Sequence, residues 1–495
     1  MPSFFNSVIT ATAVLYAGLS VAQSNEQITE EFKGNLSSGA AIYFPSDANW
    51  QTETTQRWDV FPPSNPVYIA AIKPSTPEDV SAIVKIAAQN NISYLATGGG
   101  HGFPTTLGRL NDGISIDLSN FKTINLDKTK STVKVGGGAI FANLVDVVIN
   151  AGYELVTGAC SCVGATGAAV GGGIGRLQGL HGLIADNVVS YKVVTADGTI
   201  RTVSNTSNPD LFWAMRGAGH NFGVILETEF KVYKATNGGK ALNVDLILPA
   251  SSNKTHWEQL KKITANLPAE LSMFTGIQYG DQYGGLNILF NAVYYGPEAD
   301  GRKLLAPFIN NNPLVTNITY VNAIDVIPYS LFGRWNDPTC AKNKQLSIYT
   351  VGTKTIDVPT YSQLFADMGA FFQKTPAIRT GTTIYLETLP NQAVKAAPDG
   401  FSAYPKVHRE ILTHVLMTFV NSDRSVDTAV SDFANKKRTD LTKTSGFSDL
   451  EIYSTYGHGD EGPEVWYRDS LPRLKTIKQK YDPQNRFRFY NPIMG

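Results

Sequence analysis

The chain is predicted to be α+β, on three observations. Short apolar runs of strand type alternate with amphipathic helical stretches up to about residue 236. From 237 to about 455 the strands lengthen, as in LNVDLILP (242–249) and TIYLETL (383–389), with helical stretches such as TYSQLFADMGAFFQ (360–373) between them. No full G-x-G-x-x-G and no G-x-x-x-x-G-K-[ST] is present, which argues against a Rossmann dinucleotide domain and a P-loop.

The elements follow from the N-terminus onward. Residues 7–19, SVITATAVLYAGL, form an apolar core too short to span a bilayer comfortably, and Ser20-Val21-Ala22 supplies small residues at a cleavage site. This predicts a secretory signal over residues 1–22, cut before Gln23. MPSFFN carries no Lys or Arg, so an uncleaved anchor is the alternative. Sequons at Asn35, Asn91, Asn205, Asn253 and Asn317 suit an N-glycosylated protein of the secretory lumen or exterior.

Thr76-Pro77-Glu78-Asp79 starts a helix, with Thr as N-cap, Pro in the first turn and acids at the positive end of the dipole. The strand ISYLA (92–96) then runs into a glycine turn, Gly98-Gly99-Gly100-His101-Gly102. Such a turn lets main-chain N–H groups approach a ligand closely. The plainer reading is a tight turn followed by a hydrogen-bonded His. Ile140, Phe141, Leu144, Val147, Val148 and Ala151 recur at helical spacing until Gly152 stops the helix. A second glycine segment follows, LVTGACSCVGATGAAVGGGIG (155–175).

Composition excludes some classes. Lys+Arg and Asp+Glu both number 42, so the net charge is zero and no electrostatic footprint for nucleic acid exists. The three cysteines leave an odd thiol, the mark of a reactive or conjugated sulfur in a secreted chain. A Cys-x-Cys zinc site lacks a second ligand pair at metal spacing, so no metal is expected. Sequence alone leaves open whether Cys162 and Cys340 pair.

Together the two glycine segments resemble the FAD-linked oxidases of the berberine-bridge-enzyme-like group, in the vanillyl-alcohol-oxidase superfamily. The resemblance continues through GLIADNVVSYKVVTADG (182–198), DLFWAMRGAGHNFGVI (210–225) and KYDPQNRFRFYNPI (480–493). It implies a PCMH-type two-lobed FAD-binding domain over 60–236 and a substrate domain of antiparallel sheet covered by helices over 237–455. Residues 456–495 are then a segment returning to the FAD domain. It also implies FAD bonded twice, through His101 at the 8α-methyl and Cys160 at C6. Gly98, Gly99, Gly100, Gly102, Gly158, Gly164, Gly167 and Asn221 complete the implied cofactor set. In the family a small residue two places before the linked Cys leaves room for oxygen. Here that place is Gly158, which implies an oxidase; a turn residue is the alternative.

Two departures limit the carry-over. Many relatives have a His eight residues after the Cys, where this chain has Ala168, and many carry Y-x-N-Y, where this chain reads Tyr453-Ser454-Thr455-Tyr456. His220 sits where Gly or Asn is common and is read as structural. Candidate bases are Tyr453, Tyr456 and His414. In VHREILTHVLMTF (407–419) the alternation puts Glu410, Leu412, His414 and Leu416 on one strand face. The implied reaction removes a hydride from a small aromatic, alkaloid or polyketide-type metabolite, with O2 reduced to H2O2. A secreted carbohydrate oxidase of the same fold and a non-redox pericyclase or binding protein are the alternatives. The implied partners are the small-molecule substrate and O2, without nucleic acid and without stable membrane association after signal cleavage. Oligomeric state is left open.

Overall fold

Residues 25–334, 337–420 and 422–494 are described by the computed structural model, so the expected signal over residues 1–22 lies outside the described residues. Three sheets divide them. The first contains β1 (Ala41–Tyr43), β2 (Tyr68–Lys73), β3 (Tyr94–Thr97) and β4 (Gly113–Asp117) in the order β1-β2-β4-β3. β2, β4 and β3 are parallel, and the helix Pro77–Gln89 makes the crossover. Its start is the expected one: Thr76 caps it, and the Asp79 side chain returns the bond in a capping box. β1 lies upstream of residue 60, so this lobe takes in more of the N-terminal region than the motifs implied.

The second sheet holds β5 (Ile124–Asp127), β6 (Thr132–Gly136), β8 (Val188–Val194), β9 (Ile200–Ser204) and β10 (Val224–Lys231), antiparallel in the order β5-β6-β10-β8-β9. A ribbon of β7 (Tyr153–Glu154) and β11 (Tyr233–Lys234) closes its end. The helix Phe141–Ile149 buries Phe141, Leu144 and Val148 of the stripe read from the sequence, but Val147 is exposed and Val145 is buried instead; Gly152 at φ +79° follows it.

The third sheet is antiparallel and seven-stranded: β12 (Lys240–Pro249), β13 (Leu271–Gly280), β14 (Gly285–Tyr294), β15 (Val315–Asn322), β16 (Leu346–Thr353), β17 (Thr383–Thr388) and β18 (Thr413–Val420). Their order is β15-β12-β14-β13-β17-β18-β16. Helices Asn253–Thr264, Val358–Lys374 and Asp427–Thr444 cover one face with Trp257, Leu260, Tyr361, Phe365 and Val430. Strand period divides the side chains. Ile384, Leu386, Val415, Met417 and Phe419 point into that core, whereas Tyr385, Glu387, Leu416, Thr418 and Val420 face a cavity shared with the glycine turns. The alternation read through residue 410 begins only at Thr413, because residues 407–410 form a 3₁₀ turn; Glu410 and Leu412 lie outside the strand.

The helix Leu471–Tyr481 packs Leu474, Ile477 and Tyr481 into the core of the second lobe, and the segment after it returns to the first. Phe487 joins the core of Tyr94 and Val84, and Phe489 O accepts a hydrogen bond from Thr106 Oγ1 at 3.1 Å. Lys478 and Asp482, both 0% exposed, pair at 2.6 Å, and the ammonium also donates to the carbonyls of Asn221 and Phe487. Among the described residues no helix is long and apolar enough to cross a membrane.

Candidate cofactor and active site

A cavity of about 720 Å³ opens where the two glycine turns, the bare face of the seven-stranded sheet and the C-terminal segment meet. The turns touch each other through their backbones. A Cβ on Gly99 would lie 2.6 Å from Gly164 N, and one on Gly164 would lie 2.9 Å from Gly99 N, so both positions need glycine for a close approach. Gly100 needs it for conformation as well, at φ +67°. Gly98 abuts Gly137 O, and Gly102 abuts the Tyr490 ring. Gly167 differs, since a Cβ there would meet nothing within 4 Å and would enter the cavity. The wall is therefore main chain laid bare for a ligand.

His101 and Cys160 stand together on this wall. Cys160 Sγ lies 4.0 Å from His101 Nε2, and the imidazole stacks on Trp58 with centroids 4.3 Å apart and planes 14° apart. Burial, then the charge of Lys342, pushes His101 down to about 3, so its ring is neutral at ordinary pH. Burial pushes the Cys160 thiol up to about 11. Cys162 and Cys340 form a disulfide, which settles the pairing that sequence left open. His101, Cys160 and Cys162 could together hold a metal by proximity, but the Cys162 sulfur is taken by the bridge, and the set is not a zinc site.

The bridge carries a strap, residues 339–346, over this end of the cavity. Trp58 Nε1 donates to Thr339 O at 2.6 Å, Asn343 N to Arg57 O at 2.9 Å, Lys344 N to Trp58 O at 2.9 Å, and Lys342 Nζ to Gly99 O at 2.8 Å. Arg57 donates to Gly102 O. Sequence reading missed Trp58, Arg57, Lys342 and Lys344, since nothing in their local spacing ties them to a turn far away in the chain.

The opposite wall holds the titratable groups. Tyr456 donates from its hydroxyl to Glu387 at 3.2 Å. Burial raises Glu387 to about 7, against the hydrogen bond from Tyr456 and the charge of Arg176. Burial and the charge of Glu387 hold Tyr456 well above the usual phenol range, so it remains a neutral donor. The Tyr453 hydroxyl accepts from Gly173 N at 3.0 Å, and burial raises it to about 12. Both tyrosines line the cavity as expected. Glu387 was missed. Its signal was a lone charge in the apolar strand TIYLETL, two places from Tyr385 and hence on the same face.

Two expected site residues are elsewhere. His414 faces Glu387 across the β17–β18 register but is absent from the cavity wall; its ring packs edge-on against Tyr453 at 6.0 Å, and burial pushes it down to about 3. Asn221 spends its side chain on the C-terminal segment. Its amide donates to Tyr467 OH at 3.0 Å and Asn491 O at 3.3 Å, and its Oδ1 accepts from Ile493 N at 3.1 Å. It braces the segment and leaves no polar atom for a cofactor. The neighbouring His220 stacks on Tyr490 at 4.0 Å, and burial lowers it to about 4. Gly158 lines the cavity, and a Cβ there would lie 3.0 Å from Phe141 Cε2.

Comparison with known proteins agrees with this site. Residues 68–204 match the family described as FAD binding domain, and residues 452–494 match the one described as Berberine and berberine like. The FAD-linked oxidoreductase azaL of Aspergillus niger is 39% identical over 96% of this chain and 100% of its own length. The structure of Physcomitrella patens BBE-like 1 superposes with a TM-score of 0.81 at 21% identity, covering 94% of this chain and 99% of that one. Glucooligosaccharide oxidase from Acremonium strictum, which carries a 6-S-cysteinyl, 8α-N1-histidyl FAD, superposes with a TM-score of 0.77 at 21% identity, covering 92% and 97%. A neutral imidazole and a thiol side by side, on a wall of bare glycine backbone, fit FAD. The chain belongs to the berberine-bridge-enzyme-like FAD-linked oxidoreductases.

Proposed function

We propose that this protein is an oxygen-dependent oxidase of a small aromatic or otherwise apolar metabolite bearing an ionisable O–H or N–H. Its FAD is held through both His101 and Cys160. When bound, FAD accepts a hydride from the substrate C–H and hands the electrons to O2, giving H2O2. The chain supplies position and proton chemistry. The carrying observation is the Tyr456–Glu387 pair, a carboxylate near neutrality on a largely apolar wall. Glu387 takes the proton of the substrate O–H or N–H, and Tyr456 keeps the carboxylate oriented by donating to it. Tyr453, fixed by Gly173 N, shapes the same wall.

The substrate class is supported by apolar side chains on the cavity wall that Glu387 shares: Phe103, Tyr385, Leu416, Val420 and Ile348. A wall of this kind suits a flat apolar molecule better than a sugar. The carbohydrate oxidases among the structural neighbours support the second reading, oxidation of a sugar hydroxyl by the same pair. For the attachment, the adjacency of His101 and Cys160 and the doubly linked FAD of the Acremonium strictum enzyme are the support. Secretion is supported by the Cys162–Cys340 bridge and by exposed Asn35, Asn91 and Asn205. Asn253 and Asn317 are half-buried, so glycans belong first at the three exposed sequons.

Anaerobic mixing with candidate substrates tests the redox reading, with bleaching of the flavin absorbance expected for a true substrate. Apolar phenols should bleach it and oligosaccharides should not; the reverse would favour the sugar reading. Acid-precipitated protein should stay yellow, and His101→Ala and Cys160→Ala should each leave flavin bonded once. Release of all flavin from the unsubstituted protein would refute the double attachment. The secreted chain should begin near Gln23.

A further inference from the structure

All three cysteines of the chain meet at one point. Cys160 Sγ lies 3.4 Å from Cys162 Sγ and 3.9 Å from Cys340 Sγ, the two sulfurs of the bridge. Thiol–disulfide exchange needs a thiol within reach of a disulfide and an approach along the S–S axis; Cys160 rests beside the bond, so its side chain must rotate to come into line with Cys340. Ser161 Oγ sits 3.3 Å from Cys340 Sγ, beside the sulfur that would be attacked. The strap is held by Trp58, Arg57 and Gly99 independently of which sulfur carries it.

We propose that Cys160, Cys162 and Cys340 form an exchange triad: the bridge sits at Cys162–Cys340 or at Cys160–Cys340, and only the first pairing leaves Cys160 for the cofactor. This rests on the attachment at Cys160 proposed above. The step needs no added oxidant. Cys160 thiolate attacks Cys340 Sγ, the Cys160–Cys340 bond forms and the Cys162–Cys340 bond breaks. The Cys162 sulfur leaves with the electron pair and takes up the proton that Cys160 lost. Attack on the nearer Cys162 would instead close a ring between residues two apart and untie the strap. Once Cys160 is bonded to the cofactor, the attacking thiol is gone and the bridge is frozen at Cys162–Cys340. Burial of Cys160 disfavours its thiolate, so exchange quickens in alkaline solution.

The test uses the full chain secreted through an oxidising lumen, whose thiol–disulfide donors form the bridge, and it reads peptide masses under non-reducing conditions. Cys162→Ser should carry a Cys160–Cys340 bridge and lose the flavin–Cys160 peptide, keeping flavin through His101 alone. In Cys162→Ser/Cys340→Ser, Cys160 has no partner, and the flavin–Cys160 peptide should return. A bridge that is merely structural would leave the double variant no better than the single one. Cys162→Ser protein with flavin on Cys160 and a free Cys340 thiol would overturn the triad. Should the variant not fold, unsubstituted chain made under riboflavin limitation decides. Thiols alkylated on unfolding in acid should be found at both Cys160 and Cys162 in the flavin-free fraction, and label on Cys160 alone would overturn the proposal. Failure of the attachment itself reads differently, as unsubstituted protein with no flavin on Cys160 whatever its pairing.

Discussion

Glu387 is the base of the proposed reaction. Its carboxyl, ordinarily near 4.5, is raised to about 7 by burial, so the base form is gained as pH rises through neutrality. The rate of flavin reduction should therefore rise with an apparent pKa near 7. Glu387→Gln should lower it by about 10²–10⁴-fold and remove that limb of the profile, as measured by anaerobic stopped-flow absorbance. Stability should move the opposite way. The unfolded chain loses this proton near 4.5 and the folded one only near 7, so folding is penalised progressively between those values and by a constant amount above. Melting temperatures across pH should show the variant's advantage growing through that window and then levelling off. Gly158 makes a second residue-scale test. Gly158→Ala puts a Cβ against Phe141, so Phe141→Leu is paired with it to make room. If oxygen approaches past Gly158, both the single and the double variant should slow reoxidation more than reduction. Slowing confined to the single variant would mean that the crowded ring matters and oxygen does not. Sequence reading reached His101, Cys160 and both tyrosines because each sits in a local motif. It missed Glu387, whose role depends on which strand face meets the glycine turns.

Among the elements, strand alternation was the most legible feature and its endpoints the least. The helix Pro77–Gln89 starts at its Thr76 cap, and Phe141–Ile149 ends at Asn150, just short of Gly152. β18 begins later than its alternation suggested, because a 3₁₀ turn continues the apolar pattern into non-strand backbone. Asn221 shows a different failure. A polar residue in a glycine-rich motif reads as a ligand contact, yet its side-chain bonds run to Tyr467, Asn491 and Ile493, 246 to 272 residues later in the chain. A buried ion pair holds that segment as well. Lys478→Met would leave Asp482 charged, fully buried and without its ammonium, and would free the carbonyls of Asn221 and Phe487. A loss of about 3–5 kcal/mol is expected, read from denaturant unfolding, with cofactor content falling alongside.

At the scale of the molecule, the cavity belongs to no single sheet. The first lobe gives the glycine turn with His101, the second gives Cys160 and Gly167, and the third gives Glu387 and the strap. Alternating strands and helices to about residue 236 and longer strands beyond it were readable from patterning, since local periodicity decides the elements, whereas the two lobes and the antiparallel sheet came with the family resemblance. Their assembly around one space was not, because it rests on contacts such as Cys162–Cys340, separated by 178 residues.

The return of the C-terminal segment sets a clock on biosynthesis. Wall residues run from Arg57 to Tyr490. A nascent chain can fold its lobes in turn, yet it cannot close the space that holds the flavin until Tyr490 has left the ribosome. Chains terminated before Tyr490 should carry less flavin than chains that include it, read as flavin absorbance per protein.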